Sequence, residues 1–497
     1  MNAIINGKNV TFEAGETILA VAQRNDFFIP TLCAFQPLGH KPGVCRVCLV
    51  ECTPPSGNAC VVPACVTPME DGMRVETSTP ALLARQRMQV ELLLAEHRLD
   101  CDRCARRGDC ELQRLRESLG LDAGRPVPQG EKRPEQALNG IVRDMDKCVR
   151  CLRCVTMCRK QGPAALRADS SGREELVIEL TESACVRCGQ CARVCPVGAL
   201  DERDDVSAAL DMLTSPNLFT AVAFTASARD ALKSAFSSAD ADLEGRLIAS
   251  LRHLGADAVI NADFVASALA ASVSEELAAR LREKRDLPLF SAACPAWAAY
   301  AQSRLPGLRD RLSAARAPQI LAAALKKSEL AQRYGVAEEK MRLLLVTPCT
   351  AMKDNDNHDF DAVLSARELA RLMNLSGLCP DDAAPESFDP FPSTEERLPY
   401  GGQCGELAGD VLRALRAPTR FEGLPRPFPA MPGDNDVLEA EADLGDLGVV
   451  RVALCFTCSA AEKLAAQALE GRSPYAFVET LACPGGCAQG GGSGRIA

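Results

Sequence analysis

Cys148-x2-Cys151-x2-Cys154-x3-Cys158 is followed by Cys185-x2-Cys188-x2-Cys191-x3-Cys195-Pro196, the same run twice. Thiolates spaced in this way can reach one inorganic centre from a single loop. The doubled run holds two 4Fe-4S clusters, in which the fourth cysteine of each run ligates the other cluster. One cube is therefore expected on Cys148, Cys151, Cys154 and Cys195, and a second on Cys185, Cys188, Cys191 and Cys158. The chemistry implied is electron transfer.

Two further sets precede these runs. Cys33, Cys45, Cys48 and Cys65 suit a small iron–sulphur cluster held by a loop, although their spacing differs from the plant-type run and four thiolates also suit tetrahedral zinc. His97-x3-Cys101-x2-Cys104-x5-Cys110 offers one imidazole and three thiolates, which zinc and iron would accept equally. In the second half, cysteine stands beside Pro or Gly in Ala293-Cys294-Pro295, Pro348-Cys349-Thr350 and Cys483-Pro484-Gly485-Gly486-Cys487. Four thiolates gathered from loops would bind one more 4Fe-4S cube, and the glycines would let backbone amides approach its sulfurs. Cys379, Cys404, Cys455 and Cys458 remain, the last two in CxxC spacing; they bind an additional cluster or are buried free thiols. Cys52 and Cys60 belong to none of these sets.

Elements must hold these loops in place. The chain has 497 residues, 47% hydrophobic and 25% charged, which excludes a disordered polymer. A net charge of −10 argues against nucleic acid as the main partner. No run of 18 apolar residues occurs and the start lacks a signal-peptide pattern, so the expected location is the cytoplasm. Seventeen of the 25 cysteines fall before residue 200, so small metal-organised modules are expected there, held by metal more than by a large core. The Asn6-Gly7 turn predicts a hairpin, followed by a helix from about Thr17 to Asn25. Residues 115–140 read as a linker. Beyond about residue 209 the pattern is α/β, with buried strands at 219–224, 343–346 and 449–454 and helices over 262–284 and 317–333. The stretches 379–400 and 417–446 read as surface loops.

On these motifs the chain resembles an FeFe-hydrogenase of the multi-cluster type along essentially its whole length, and its first modules are also similar to the large iron–sulphur subunit of respiratory complex I. The resemblance implies a multidomain α+β and α/β chain. Its parts would be a β-grasp 2Fe-2S ferredoxin module at 1–78, a His/Cys 4Fe-4S module at 79–118, a two-cluster ferredoxin module at 138–205 and a hydrogenase-like α/β domain at 209–497. It implies a 2Fe-2S cluster on Cys33, Cys45, Cys48 and Cys65, and an H-cluster-type site on Cys294, Cys349, Cys483 and Cys487, with Cys487 as the bridge to a two-iron unit. Ser313, Pro318 and Gln319 match family positions near that site. Departures are as informative. Ala293 stands where the family has a proton-relaying thiol, Met352 replaces a lysine that donates to a cyanide ligand, Asn355 replaces a carboxylate and Leu481 a methionine. Lys353 could substitute for the missing lysine only if its loop shifts. The helix after Ala262-Asp263-Phe264 is expected to offer no glutamate at relay distance. Gly401-Gly402-Gln403-Cys404 falls where the family lines the two-iron pocket.

The resemblance implies three alternatives: a redox subunit with weak or lost hydrogen turnover, a working hydrogenase, or a hydrogen or redox sensor. It also implies ferredoxin or flavin-containing NAD(H) dehydrogenase subunits as partners, and a separate small chain as a candidate to complete the C-terminal domain.

Overall fold

The computed structural model describes residues 1–121, 136–138, 140–169, 177–233, 235–236, 242–317, 325–354, 359–390, 406–415 and 437–496. The expected site residues Gln319 and Cys404 lie outside them, as do Pro318, Asn355 and 401–403.

The first module is a five-stranded sheet, β1 Asn2–Ile5, β2 Lys8–Thr11, β3 Leu49–Thr53, β4 Cys60–Pro63 and β5 Arg74–Glu76, in the order β2-β1-β5-β3-β4. Asn6 and Gly7 both take the left-handed backbone that a tight β1–β2 turn requires. Helix α1, Ile18–Arg24, starts where Thr17 Oγ1 caps the Ala20 N–H and buries Ile18, Leu19, Val21 and Ala22 in the module's core. This is the β-grasp arrangement. Helices α2, Pro80–Glu96, and α3, Glu111–Ser118, follow, so the first part of the expected linker is helical.

Strand β7 Ile141–Arg143 pairs with β6 Gln136–Leu138 on one side and β10 Leu200–Glu202 on the other, and two copies of one unit lie between β7 and β10 in the chain. Each copy is a cysteine loop leading into a short helix, α4 Arg153–Gln161 or α5 Gln190–Arg193, with the β8 Leu166–Asp169 and β9 Val177–Leu180 hairpin between them. The repeat extends to the backbone. Arg150 and Leu152 in the first loop, and Arg187 and Gly189 in the second, all have positive φ. That local handedness curls both loops around a centre.

After α6, Val206–Thr214, the chain builds two sheets. Strands β11 Phe219–Phe224, β12 Ala258–Asn261, β14 Met341–Val346 and β15 Ala362–Leu364 form a parallel sheet in the order β12-β11-β14-β15. Strands β13 Leu289–Phe290, β16 Val437–Asp443, β17 Val449–Phe456 and β18 Tyr475–Leu481 form the other, in the order β13-β18-β17-β16, with only β16 antiparallel. Helices α7 Ala226–Leu232, α8 Leu243–His253, α9 Phe264–Glu283 and α10 Pro295–Arg304 connect and cover them, with later helices at Lys327–Tyr334, Ala366–Leu375, Glu406–Ala414 and Cys458–Leu469. The central strands are buried on both faces, which is why they read as unbroken apolar runs. Strand β16 corrects the expectation of a loop through 446. Val437-Leu438-Glu439-Ala440-Glu441-Ala442-Asp443 alternates apolar and acidic residues, the pattern of a charged edge strand.

Candidate functional site

The thiols of the doubled run are drawn into two rings. Cys148, Cys151, Cys154 and Cys195 line one cavity, and Cys158, Cys185, Cys188 and Cys191 line another. The fourth cysteine of each run therefore stands with the other run's first three. Backbone amides point at these sulfurs: Arg150 N–H lies 3.4 Å from Cys148 Sγ and Ala165 N–H 3.2 Å from Cys158 Sγ. Burial raises the thiols of Cys148, Cys151, Cys154, Cys158, Cys185, Cys188 and Cys191, so as thiolates they call for a cationic metal centre. Among the described residues no group of three or more His, Cys, Asp or Glu is disposed to hold a single metal ion. Four thiols around a cavity are the donor set of a 4Fe-4S cube.

Cys33, Cys45, Cys48 and Cys65 are all buried in the loops beside β3 and β4, and the Cys33 N–H faces Cys45 Sγ at 3.4 Å. His97 caps the end of α2, and its Nδ1 lies 2.9 Å from the Lys147 carbonyl. A carbonyl only accepts, so Nδ1 carries the proton and Nε2 keeps its lone pair for a metal. Burial lowers the His97 pKa, which favours that neutral ring.

In the α/β domain, Cys294, Cys349 and Cys483 follow β13, β14 and β18, at the carboxyl ends of parallel strands where such folds place ligands. Cys294 also caps α10, and the Ala482 N–H points to its sulfur at 3.5 Å. Burial pushes the Cys349 thiol up to about 12, with Cys294 adding to it. Cys483 is held well above its usual range by burial and by Cys294, Cys349 and Cys487. The buried Cys294, Cys349 and Cys483 thus mark one low-dielectric site at these strand ends. The glycine loop closes it against the second cysteine ring. A Cβ on Gly491 would come within 2.5 Å of Gly189 Cα and 2.7 Å of the Cys188 carbonyl, so only glycine admits that approach. Thr350 Oγ1 donates to the Arg187 carbonyl at 2.7 Å across the same seam.

Residues 219–491 match the model of the iron-only hydrogenase large subunit, C-terminal domain. The chain belongs to that hydrogenase family. Further models match a 2Fe-2S iron–sulphur cluster binding domain at 2–80, the NADH-ubiquinone oxidoreductase-G iron–sulphur binding region at 86–125 and a 4Fe-4S dicluster domain at 147–199. The NADP-reducing hydrogenase subunit HndD of Solidesulfovibrio fructosivorans is 32% identical, over 98% of this chain and 88% of its own length. Iron hydrogenase 1 of Clostridium pasteurianum is 27% identical over 99% and 88%. The HoxS subunit gamma of the NAD-reducing hydrogenase of Cupriavidus necator is 32% identical, over 40% of this chain and 86% of its own length. This hydrogenase-family chain is thus an iron–sulphur oxidoreductase with 2Fe-2S and 4Fe-4S domains.

Around its four C-terminal thiols the family pattern changes. Lys353 does not replace the missing lysine. Its ammonium is fully buried, with Nζ 2.9 Å from the Arg203 carbonyl, 3.0 Å from Asp205 and 2.8 Å from Glu368, so its three hydrogens are all committed. Ala293, Val273 and Leu481 lie in one apolar cluster that packs against Cys294 and Cys487. Ser313 keeps a partner that the spacing does not predict: its Oγ donates to Glu276 Oε2 at 2.7 Å, and Arg280 holds Oε1 at 2.6 Å. The Glu276–Arg280 pair, one turn apart on α9, is the sequence signal that marks this carboxylate as fixed.

The additional quartet of Cys379, Cys404, Cys455 and Cys458 does not form among its described members. Cys379 is exposed beside α8, where Leu378 packs on the core of the parallel sheet, whereas Cys455 and Cys458 are buried behind the other sheet.

Proposed function

We propose that this protein is an electron-carrying subunit of FeFe-hydrogenase type in which hydrogen turnover is weak or lost. Its ligand sets are Cys33, Cys45, Cys48 and Cys65 for a 2Fe-2S cluster, and His97, Cys101, Cys104 and Cys110 for a 4Fe-4S cluster. The two rings lined by Cys148 and by Cys158 hold two more cubes, and Cys294, Cys349, Cys483 and Cys487 a fourth. These centres supply one-electron redox chemistry; the chain's own residues fix their ligands and exclude water. The order along the polypeptide supports a path from the first module to the α/β domain or the reverse.

The observation that carries the reading is the apolar cluster that contains Ala293, Val273 and Leu481 and against which Cys294 and Cys487 pack. Those side chains can neither carry a proton nor donate to an anionic ligand, and each lost proton-transfer group lowers rate by about 10²–10⁴-fold. The described residues thus fit a cube but, among them, none supplies the proton relay or the donor that a catalytic two-iron unit with cyanide ligands needs at Ala293 and Lys353. The names of HndD and HoxS, subunits of NADP- and NAD-reducing hydrogenases, support an NAD(P)-linked electron partner, for which a flavin-containing dehydrogenase subunit is the first candidate and ferredoxin the other. The retained Ser313–Glu276–Arg280 chain favours a second reading, a working hydrogenase.

Infrared spectroscopy on protein produced with hydrogenase maturation factors separates the two. Iron-replete protein without metal-bound CO and cyanide bands is the expected result. Strong bands with fast hydrogen uptake would overturn the first reading in favour of the second.

A further inference from the structure

Cys52 and Cys60 take no part in any ligand set. They are directly opposed on β3 and β4, and their sulfurs stand 3.5 Å apart. Opposed residues of an antiparallel pair have Cα atoms ~4.5–5.5 Å apart, inside the range that a disulfide spans. Their exposure is unequal. Cys60 is exposed, whereas Cys52 is 3% exposed and belongs to the β-grasp core. Both strands run into other thiols at the foot of the hairpin, Cys48 just before β3 and Cys65 just after β4. The Ala64 N–H donates to the Cys48 carbonyl at 2.9 Å there.

We propose that Cys52 and Cys60 form a thiol–disulfide exchange site on the first module, whose substrates are small or protein disulfides and dithiols. The exposed Cys60 thiolate attacks a sulfur of R–S–S–R and releases one RS⁻. The Cys52 thiolate then attacks Cys60 Sγ, the mixed disulfide breaks and a second RS⁻ leaves. Two protons pass from the cysteines to the two released thiolates, and the substrate disulfide is reduced by two electrons. The product clamps the hairpin that carries Cys48 and Cys65. Reversal begins when an external thiolate attacks at Cys60, the accessible sulfur.

The test is oxidised glutathione added to the anaerobic holoprotein, then alkylation and mass spectrometry of the tryptic peptide Val47–Arg74, which contains all four thiols. A loss of two hydrogens, placed by fragmentation between Cys52 and Cys60, with the visible cluster absorption unchanged, is the expected result. Cys52→Ala should stop at a glutathione adduct on Cys60, and Cys60→Ser should not react at this peptide. Full alkylation of both thiols after oxidant, or a bond to Cys48 or Cys65, overturns the proposal.

A second inference rests on Gln161, at the end of α4. It is 1% exposed, neither its Oε1 nor its Nε2 has a protein partner, and it lines the cavity ringed by Cys158, Cys185, Cys188 and Cys191. An amide buried in this way needs an acceptor for its N–H groups. We infer that the Gln161 side chain donates to a sulfur of the cluster assigned above to that ring, an inference that depends on that assignment. Such a donor stabilises the reduced, more negative cluster and raises its potential.

Gln161→Met keeps the length and removes the donor. Redox titration followed by EPR should show the midpoint of one 4Fe-4S signal moving negative and the others unmoved. Pulsed EPR should show an exchangeable-proton coupling in the wild type that the variant lacks. Unmoved midpoints with full iron content overturn the role of Gln161, as does absence of that coupling from the wild type. Wild-type protein short of one cube would instead overturn the ligand assignment.

Discussion

Ala293 ends in a methyl group and Met352 in a thioether, and neither can pass a proton or donate to an anion. If matured protein carries the two-iron unit and has lost only its relay, the pair Ala293→Cys and Met352→Lys raises hydrogen uptake by at least ~10²-fold. An unchanged rate in a gas-uptake assay would mean that the pocket has been rebuilt more widely. Lys353 is a structural charge. Its replacement by Met leaves Asp205 and Glu368 without their buried counter-charge and should cost about 3–5 kcal/mol, read as a lower urea midpoint. Asp263 provides a pH signature. Burial pushes its carboxyl up to about 7, while its Oδ2 accepts from the Ala226 N–H at 2.9 Å. The folded state therefore holds a proton that the unfolded chain releases near its ordinary value, and stability falls as pH rises toward 7. Asp263→Asn keeps the hydrogen bond and removes that slope, with a gain on the order of 1–3 kcal/mol at pH 8 and little at pH 4. Parallel urea curves at the two pH values for wild type and variant would refute it.

Among the elements, α4 joins three modules through its first residue. The Arg153 guanidinium, 2% exposed, donates to the Leu32, Cys33 and Ala34 carbonyls of the first module and holds Glu111 of α3 with two hydrogen bonds at 2.7 and 2.8 Å. Its charge lies 4.6 Å from the centre of the Phe35 ring. Arg153→Leu strands a carboxylate and three carbonyl oxygens. The expected cost is about 3–5 kcal/mol, seen as earlier melting of the N-terminal modules and faster proteolysis at the seam between α3 and the first module. In the sequence Arg153 is a residue between two cysteines. Nothing local announces that its partners lie 42 residues back in α3 and about 120 back in the first module.

Across the whole molecule, the C-terminal segment ties the α/β domain to the modules that precede it. Arg193 donates to the Gly494 and Gln489 carbonyls at 3.0 and 2.8 Å, and Gln190 Nε2 donates to the Gln489 carbonyl at 2.8 Å. Ile496 packs with Phe35, Leu38, Met157 and Val194, which come from the first module and the two-ring module. Arg495 Nε lies 3.2 Å from Asp109, beside the His97 set. Metal content tests the molecule at this scale. Anaerobic protein should hold about 18 iron atoms, the sum of one two-iron and four four-iron clusters, and no zinc. A markedly lower iron count, or stoichiometric zinc, would break the chain of centres.

The grouping of the first three cysteines in each run was legible before any fold, because side chains three positions apart on one loop are placed by local geometry. The β-grasp hairpin and the strands at 219–224 and 449–454 were legible for the same reason, since turn chemistry and apolar runs act over a few residues. Tertiary packing decided the rest. Ser313 and Glu276 are 37 residues apart, Lys353 is captured by Asp205 from another module, and Cys379 is kept apart from Cys455 and Cys458 by the two separate sheets. A side chain's partner across such separations depends on how sheets and helices stack, and spacing along the chain carries no measure of that.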